Sequence, residues 1–155
     1  MIVFGIDPGA TGGLAVLRDG SLIDAMRMPT VVVRGKPAVD GSVLHEWMYD
    51  HLDGGALFVL EHVHAMPRQG VSSSFQFGRM FGAVEALAIA TGRRVEHVTP
   101  SVWKKAFHLT RDKQASIDAA RLRFGDEVSK YVKLKKDEGV AEACLLAAYG
   151  HDHLL

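Results

Sequence analysis

The first twenty residues, MIVFGIDPGA (1–10) and TGGLAVLRDG (11–20), decide the fold. Met1–Asp7 is an apolar run closed by Asp7-Pro8-Gly9, which reads as a strand followed by a turn. Gly13–Leu17 predicts a second strand, and Arg18-Asp19-Gly20 a hairpin turn of the Asp-Gly kind. Leu22–Met28 predicts a third strand. Three strands joined by such tight connections form an antiparallel meander.

Outward from the meander the pattern changes. Pro29–Gly41 contains Pro29, Pro37, Gly35 and three successive valines, and reads as a loop with an extended edge. Ser42 is placed as the N-cap of a helix to about Leu52, with Glu46 near the capping-box position. Ala56–Val63 predicts an apolar strand interrupted by Glu61, and Met66–Ser74 a polar loop. Phe75–Thr91 predicts a long apolar helix ended by Gly92, whose stretch Met80–Ala90 is apolar nearly all round and so should bury more than one face. Arg94–Val98 predicts a strand. Thr99-Pro100 opens a short helix to about Phe107, with proline at the first helical position. Asp112–Phe124 predicts an amphipathic helix, 126–137 a charged connection, and Glu138–Tyr149 a last helix ended by Gly150. The order β-β-β-α-β-α-β-α-α-α predicts an α/β fold. Its mixed five-stranded sheet joins the meander of strands 1–3 to parallel strands, with α-helices on its faces.

The length of 155 residues suits a single domain over 1–155. Lys plus Arg and Asp plus Glu are 18 each, and so balanced a chain is not a bulk nonspecific binder of nucleic acid. The balance is uneven along the chain, however. Residues 101–136 hold ten bases against four acids, whereas 137–155 hold four acids and no base, and 1–65 hold eight acids against four bases. That distribution predicts a local basic surface beside an acidic pocket that is incomplete without cations. Cys144 is the single cysteine, so no intrachain disulfide or thiolate cluster is expected, and it is read as a buried small hydrophobe. No apolar run is long enough for a bilayer, and no basic segment precedes the first apolar run, so a cytoplasmic location is expected.

The informative residues are carboxylates on apolar elements. Asp7 ends the first strand, Glu61 ends Leu57-Phe58-Val59-Leu60, and Glu142 lies within Val140–Ala147, whose other members are small or apolar. Burying a carboxylate is costly unless something compensates for it. Several such groups around one point are the hard-oxygen pattern that Mg²⁺ or Mn²⁺ prefers. Plainer readings stand beside this one. Asp7 in Asp-Pro-Gly is a good turn former, Glu61 is able to end its strand in solvent, and Glu142 is able to face water. Glu138 and Glu142 lie four apart on one helical face, where their repulsion is tolerable in water and useful around a metal.

Gly5-Ile6-Asp7-Pro8-Gly9 followed by Gly13-Leu14-Ala15-Val16 resembles the opening of the RuvC-like Holliday-junction resolvases of the RNase H-like superfamily. The resemblance continues in Val59-Leu60-Glu61-His62-Val63, in Gln69–Arg79, in Thr99–Lys105, and in Asp137–Ala147, the loop and helix starts being similar to those of phage and prophage members. It implies an RNase H-like domain acting as a homodimer that makes paired symmetric cuts across branched DNA, a four-way junction above all. It implies two Mg²⁺ ions per site, with Mn²⁺ able to substitute, no small-molecule cofactor, no membrane, and the cytosol of a bacterium or a phage-infected host. Carried over residue by residue, it makes Asp7, Glu61 and Glu142 metal-binding and catalytic. Family members place an acid or histidine three residues before the last acid, and that position here is Gly139. Glu138 is taken as the fourth catalytic acid by helical geometry, with Asp137 as the alternative ligand.

The DNA-facing candidates are Lys104, Lys105, Arg111 and Lys113 around the helix after the fifth strand, and Arg68, Gln69, Ser72, Ser73 and Arg79 beside Glu61 in sequence. Phosphate contact is the functional reading, and a solvated surface the plain one; Lys113 follows Asp112 and is open to local pairing. The family's aromatic wedge falls at His64, with Phe75 and Phe77 as replacements. His62 and His64 should share one side of a strand, and His151-Asp152-His153 reads as a frayed tail. Three rival functions remain open. They are an RNase H-like nuclease acting on RNA or an RNA–DNA hybrid, a non-cleaving junction binder, and a nucleotide-phosphate binder, because Asp7–Gly12 also resembles the first phosphate loop of the actin–sugar kinase–Hsp70 ATPases. The chain is short for the two lobes of that last class.

Overall fold

The computed structural model describes residues 1–64, 68, 70–110 and 112–155. Its centre is a five-stranded sheet of β1 (Ile2–Asp7), β2 (Gly13–Arg18), β3 (Ser21–Arg27), β6 (Ala56–Glu61) and β7 (Arg94–Val98), ordered β3-β2-β1-β6-β7. β1, β2 and β3 form the expected antiparallel meander, and the turn after β2 places Asp19 and Gly20 at φ 50° and 85°. β6 runs parallel to β1, and β7 parallel to β6. The mixed sheet predicted from the order of elements is the observed one.

Helices cover both faces of the sheet, which explains why β1, β2 and β6 are continuous apolar runs rather than alternating ones. On one face Ile2, Phe4, Ile6, Leu14, Val16, Phe58 and Leu60 pack with α1 (Gly41–His51) and α2 (Val71–Ala90). On the other, Val3, Ala15, Leu17, Leu57 and Val59 meet α3 (Pro100–Ala106), α4 (Lys113–Phe124), the single turn α5 (Asp126–Ser129) and α6 (Glu138–His153). Cys144 is fully buried in this layer, and burial pushes its thiol up to about 12.

Several boundaries differ from expectation for identifiable reasons. Residues 29–41 hold a separate two-stranded hairpin, β4 (Thr30–Val33) and β5 (Lys36–Val39), closed by Arg34 and Gly35 at φ 50° and 75°. Both central residues are left-handed, as the tightest hairpin turns require. Asp40, not Ser42, caps α1, accepting a hydrogen bond from the Val43 N–H. α2 starts at Val71 and takes in Ser72–Ser74, whose polar character disguises the first helical turn. It buries only the stripe Met80, Val84 and Ala88, so the helix read as apolar all round leaves one face open. The helix buried all round is α6, whose residues 139–148 are all buried. It continues through Gly150 to His153. A Cβ on Gly150 would lie 2.4 Å from a methyl of Val59, so this glycine serves close packing rather than helix termination. His151-Asp152-His153 is therefore helical, with Asp152 3.4 Å from Arg123.

Candidate active site

β1 and β6 are parallel neighbours in a register that pairs Ile6 with Leu60. One residue further on, Asp7 and Glu61 come side by side at the C-terminal ends of these strands, where sites of open α/β sheets form. Side chains alternate across a sheet, so Val3, Gly5 and Asp7 share a face with Leu57, Val59 and Glu61, and that face carries α6.

Contacts between main chains fix how α6 lies on it. A Cβ on Gly5 would be 2.1 Å from the Ala143 carbonyl oxygen, and one on Gly139 would be 2.3 Å from that of Thr11. Gly12 and Gly139 form an isolated bridge between the turn before β2 and the start of the helix. No side chain fits between these backbones. Glu138 and Glu142, on successive turns, are thereby brought to the ends of β1 and β6. The charges of Glu61, Glu142 and Glu138 all act on Asp7.

The electrostatics record this crowding. Burial, followed by the charges of Glu61 and Glu142, holds Asp7 well above the usual carboxylate range, although Lys104 partly offsets them. Burial also raises Glu61, opposed by a hydrogen bond from Trp103. The Trp103 Nε1–H donates to Glu61 Oε1 at 3.0 Å from a fully buried ring. Glu142 is 8% exposed, and its Oε1 accepts from Ser116 Oγ at 2.9 Å and from Lys104 Nζ at 2.7 Å. Burial works against the Lys104 charge. The hydrogen bond to Glu142 and the charges of Glu142, Glu61 and Asp7 outweigh it, so its pKa lies above the ordinary lysine value. Among the described residues, no three His, Cys, Asp or Glu side chains converge tightly enough to ligate one ion as they stand. The donor set is nevertheless all carboxylate, and Lys104 holds positive charge against it. The chemistry fits a hard divalent cation.

Asp137 is engaged elsewhere. Its Oδ1 accepts from Arg27 Nε at 2.8 Å, and its Oδ2 from the N–H groups of Lys133 and Leu134 at 3.0 and 2.8 Å. Burial works to raise it, yet Arg27 and these two donors hold its carboxyl below the usual range. Of the two alternatives in sequence, Glu138 is the one that acts on Asp7.

Among the DNA-facing candidates, Lys105 is exposed on α3, and Lys104 points inward to Glu142. Lys113 pairs with Glu138 at 3.0 Å rather than with Asp112, which caps α4. Arg68, Ser72, Ser73 and Arg79 are exposed at and before the first half of α2. Gln69 and Arg111 lie outside the described residues. His62 and His64 fall beyond the end of β6, and the His62 ring meets Phe81 and His97 edge-on. Phe75 is 69% exposed, whereas Phe77 is half-buried. Sequence reading missed the hydrogen-bonding roles of Trp103 and Ser116. Ser116 carried a signal, because it shares the i, i+4, i+8 stripe of α4 with Ala120 and Phe124.

No protein-family model and no curated protein matches the chain. Solved structures do. RuvC of T. thermophilus in complex with a Holliday junction substrate is 20% identical, with a TM-score of 0.70 over 97% of this chain and 94% of that one. The chain has the RuvC fold. A second Thermus thermophilus RuvC structure, also 20% identical, gives a TM-score of 0.64 over 97% and 95% of the two chains. The likeness thus spans the whole RuvC-like domain, from the meander to α6.

Proposed function

We propose that this protein is a metal-dependent, structure-selective DNA endonuclease that resolves four-way junctions by paired phosphodiester cleavage. One observation carries the reading. Asp7 and Glu61 stand side by side at the ends of adjacent parallel strands, and α6 brings Glu138 and Glu142 to the same place. The RuvC fold supports it, since one structure with this fold holds a Holliday junction substrate.

In this reading Asp7, Glu61, Glu138 and Glu142 hold two Mg²⁺ ions, for which Mn²⁺ substitutes. Bound there, such ions supply Lewis acidity for in-line attack of water at phosphorus and for departure of the 3′-oxygen. The chain's own part is orientation. Trp103 fixes one oxygen of Glu61 and Ser116 one oxygen of Glu142. Lys104 keeps an ammonium beside Glu142, where it faces an incoming phosphate. Lys105 supplies a further phosphate contact on the α3 side, and Arg68, Ser72, Ser73 and Arg79 on the α2 side; Gln69 and Arg111 are candidates from the sequence alone. Phe75, 69% exposed in the first turns of α2, takes the place of a wedge.

The enzyme works as a homodimer through the open face of α2, where Phe75, Gly78, Ala83, Ala86 and Ile89 are exposed at helical spacing. No described helix is long and apolar enough to cross a membrane; as an enzyme of DNA junctions, the protein acts in this reading in the cytoplasm.

The test is incubation with a mobile four-way junction, a Y-fork, linear duplex and an RNA–DNA hybrid, each with Mg²⁺ or EDTA. Paired symmetric nicks confined to the junction and to Mg²⁺ are expected. Hybrid cleavage with an intact junction replaces this reading with that of a hybrid-directed nuclease. Retardation without cleavage under any metal replaces it with a junction-binding role.

A further inference from the structure

The β4–β5 hairpin takes no part in the site described above and does not pair with the central sheet. It is an unusual surface element, because Val31, Val32 and Val33 are 41%, 77% and 40% exposed on a ribbon of only four residues a side. Exposed apolar residues in a row are uncommon unless something covers them.

Two contacts tie the ribbon to the start of α2. Lys36 Nζ donates to Ser72 Oγ at 2.5 Å, and the Gln76 amide donates to the Pro37 carbonyl. Ala10, three residues after Asp7, joins Lys36, Pro37, Ser72, Ser73 and Phe77 around one shallow pocket. The hairpin therefore stands beside the loop that follows the proposed catalytic aspartate.

Its charge is one-sided. Residues 30–39 include Arg34 at the tip and Lys36, with no acid, and residues 68–84 include Arg68 and Arg79, again with no acid. The partner of Lys36 is a neutral hydroxyl, and among the described residues none of these four bases is paired with a carboxylate. An overall neutral chain thus presents a strip of uncompensated positive charge next to exposed valines. Basic groups matching phosphates and apolar side chains lying against sugars and bases are the chemistry of a nucleic-acid contact.

We propose that the β4–β5 hairpin is a DNA-contacting arm in which Arg34 and Lys36 neutralise backbone phosphates of a junction arm and Val32 lies against its sugars or bases. The inference rests on the nuclease reading for the identity of the DNA, and it adds an element that the acidic site does not require.

The experiment uses the full chain, a fluorescent four-way junction and a salt series. Binding is measured in EDTA, and cleavage with Mg²⁺ in parallel. The variants are Arg34→Ala with Lys36→Ala, Val32→Ser, and Arg93→Ala as a control at the opposite end of the sheet. Thermal melts confirm that each is folded. The Arg34 and Lys36 double variant should bind about tenfold more weakly near 0.1 M salt. Its log–log salt slope should be shallower by about 2, on the scale of roughly 0.9 per phosphate contact. KM for cleavage should rise by a similar factor, with kcat near wild type. Val32→Ser should weaken binding severalfold without changing the slope, and Arg93→Ala should behave as wild type. The inference is overturned if the double variant matches Arg93→Ala in affinity, slope and KM. It is also overturned if the double variant changes the sedimentation of the free protein while junction affinity stays the same, since the hairpin is then a protein interface. A wild-type chain that neither binds nor cuts the junction refutes the nuclease reading and the hairpin with it. A chain that cuts normally while the hairpin variants are silent refutes the hairpin alone.

Discussion

Asp7 is the residue on which most depends. An asparagine there keeps the shape of the side chain and removes its charge. Asp7→Asn should abolish junction cleavage while leaving junction binding near wild type, which a cleavage assay and a gel-shift titration check side by side. It should also raise the metal-free melting temperature at pH 7 by a few degrees, because the buried charge it removes is unfavourable without a cation. Trp103 acts through Glu61. Trp103→Phe retains most of the ring and leaves Glu61 Oε1 without its donor. Supporting hydrogen bonds of this kind are typically worth about 10–100-fold in metal affinity, and calorimetric Mn²⁺ titration should show a loss on that scale with the fold intact. Of the proposed acids, Asp7, Glu61 and Glu142 stand out in sequence because each ends or interrupts an apolar run, whereas Glu138, in Lys136-Asp137-Glu138-Gly139, carries no such mark. Trp103 was not legible, because a tryptophan among apolar and basic neighbours gives no sign of where its N–H points.

At the scale of elements, Gly139 accounts for where the sequence departs from the acid pattern of the resolvases it resembles. The position cannot carry a side chain while α6 rests on the turn before β2, and in the proposed site the carboxylate lies one residue earlier, at Glu138. Gly139→Asp should therefore fail to supply a ligand and should destabilise the protein by about 1–3 kcal/mol, the usual range for forced overpacking, read as a lower urea midpoint. α2 makes a different kind of statement. If α2 forms the proposed homodimer contact, Ala86→Arg on its open face should shift sedimentation from dimer to monomer and leave the monomer folded. The meander and the parallel strands were readable because turns and apolar runs are local signals. The β4–β5 hairpin was half-read as an extended edge, since strand pairing is not a property of one segment. The reach of α6 through Gly150 was misread because a glycine used for close approach looks the same in sequence as one that stops a helix.

For the whole molecule, net neutrality conceals opposed regions, and the consequence appears in its response to pH. Asp7 and Glu61 titrate above their ordinary values in the folded state. The native protein therefore binds more protons than the unfolded chain as pH rises past about 4, and stability falls through that window until the raised values are passed. Asp137 has the opposite sign, so its contribution is present above its ordinary value and is lost in acid. The metal-free protein should melt at a lower temperature at pH 7.5 than at pH 5, as scanning calorimetry will show. Saturating Mg²⁺ should reduce the difference, since a ligand bound only to the native state stabilises it. The contact between α6 and the sheet has one more consequence. Where main chain rests on main chain there is no layer of side chains to loosen by degrees. Heating should leave the spacing of the acids unchanged until the whole domain melts, and the proposed nuclease activity should vanish at the unfolding transition rather than fade ahead of it.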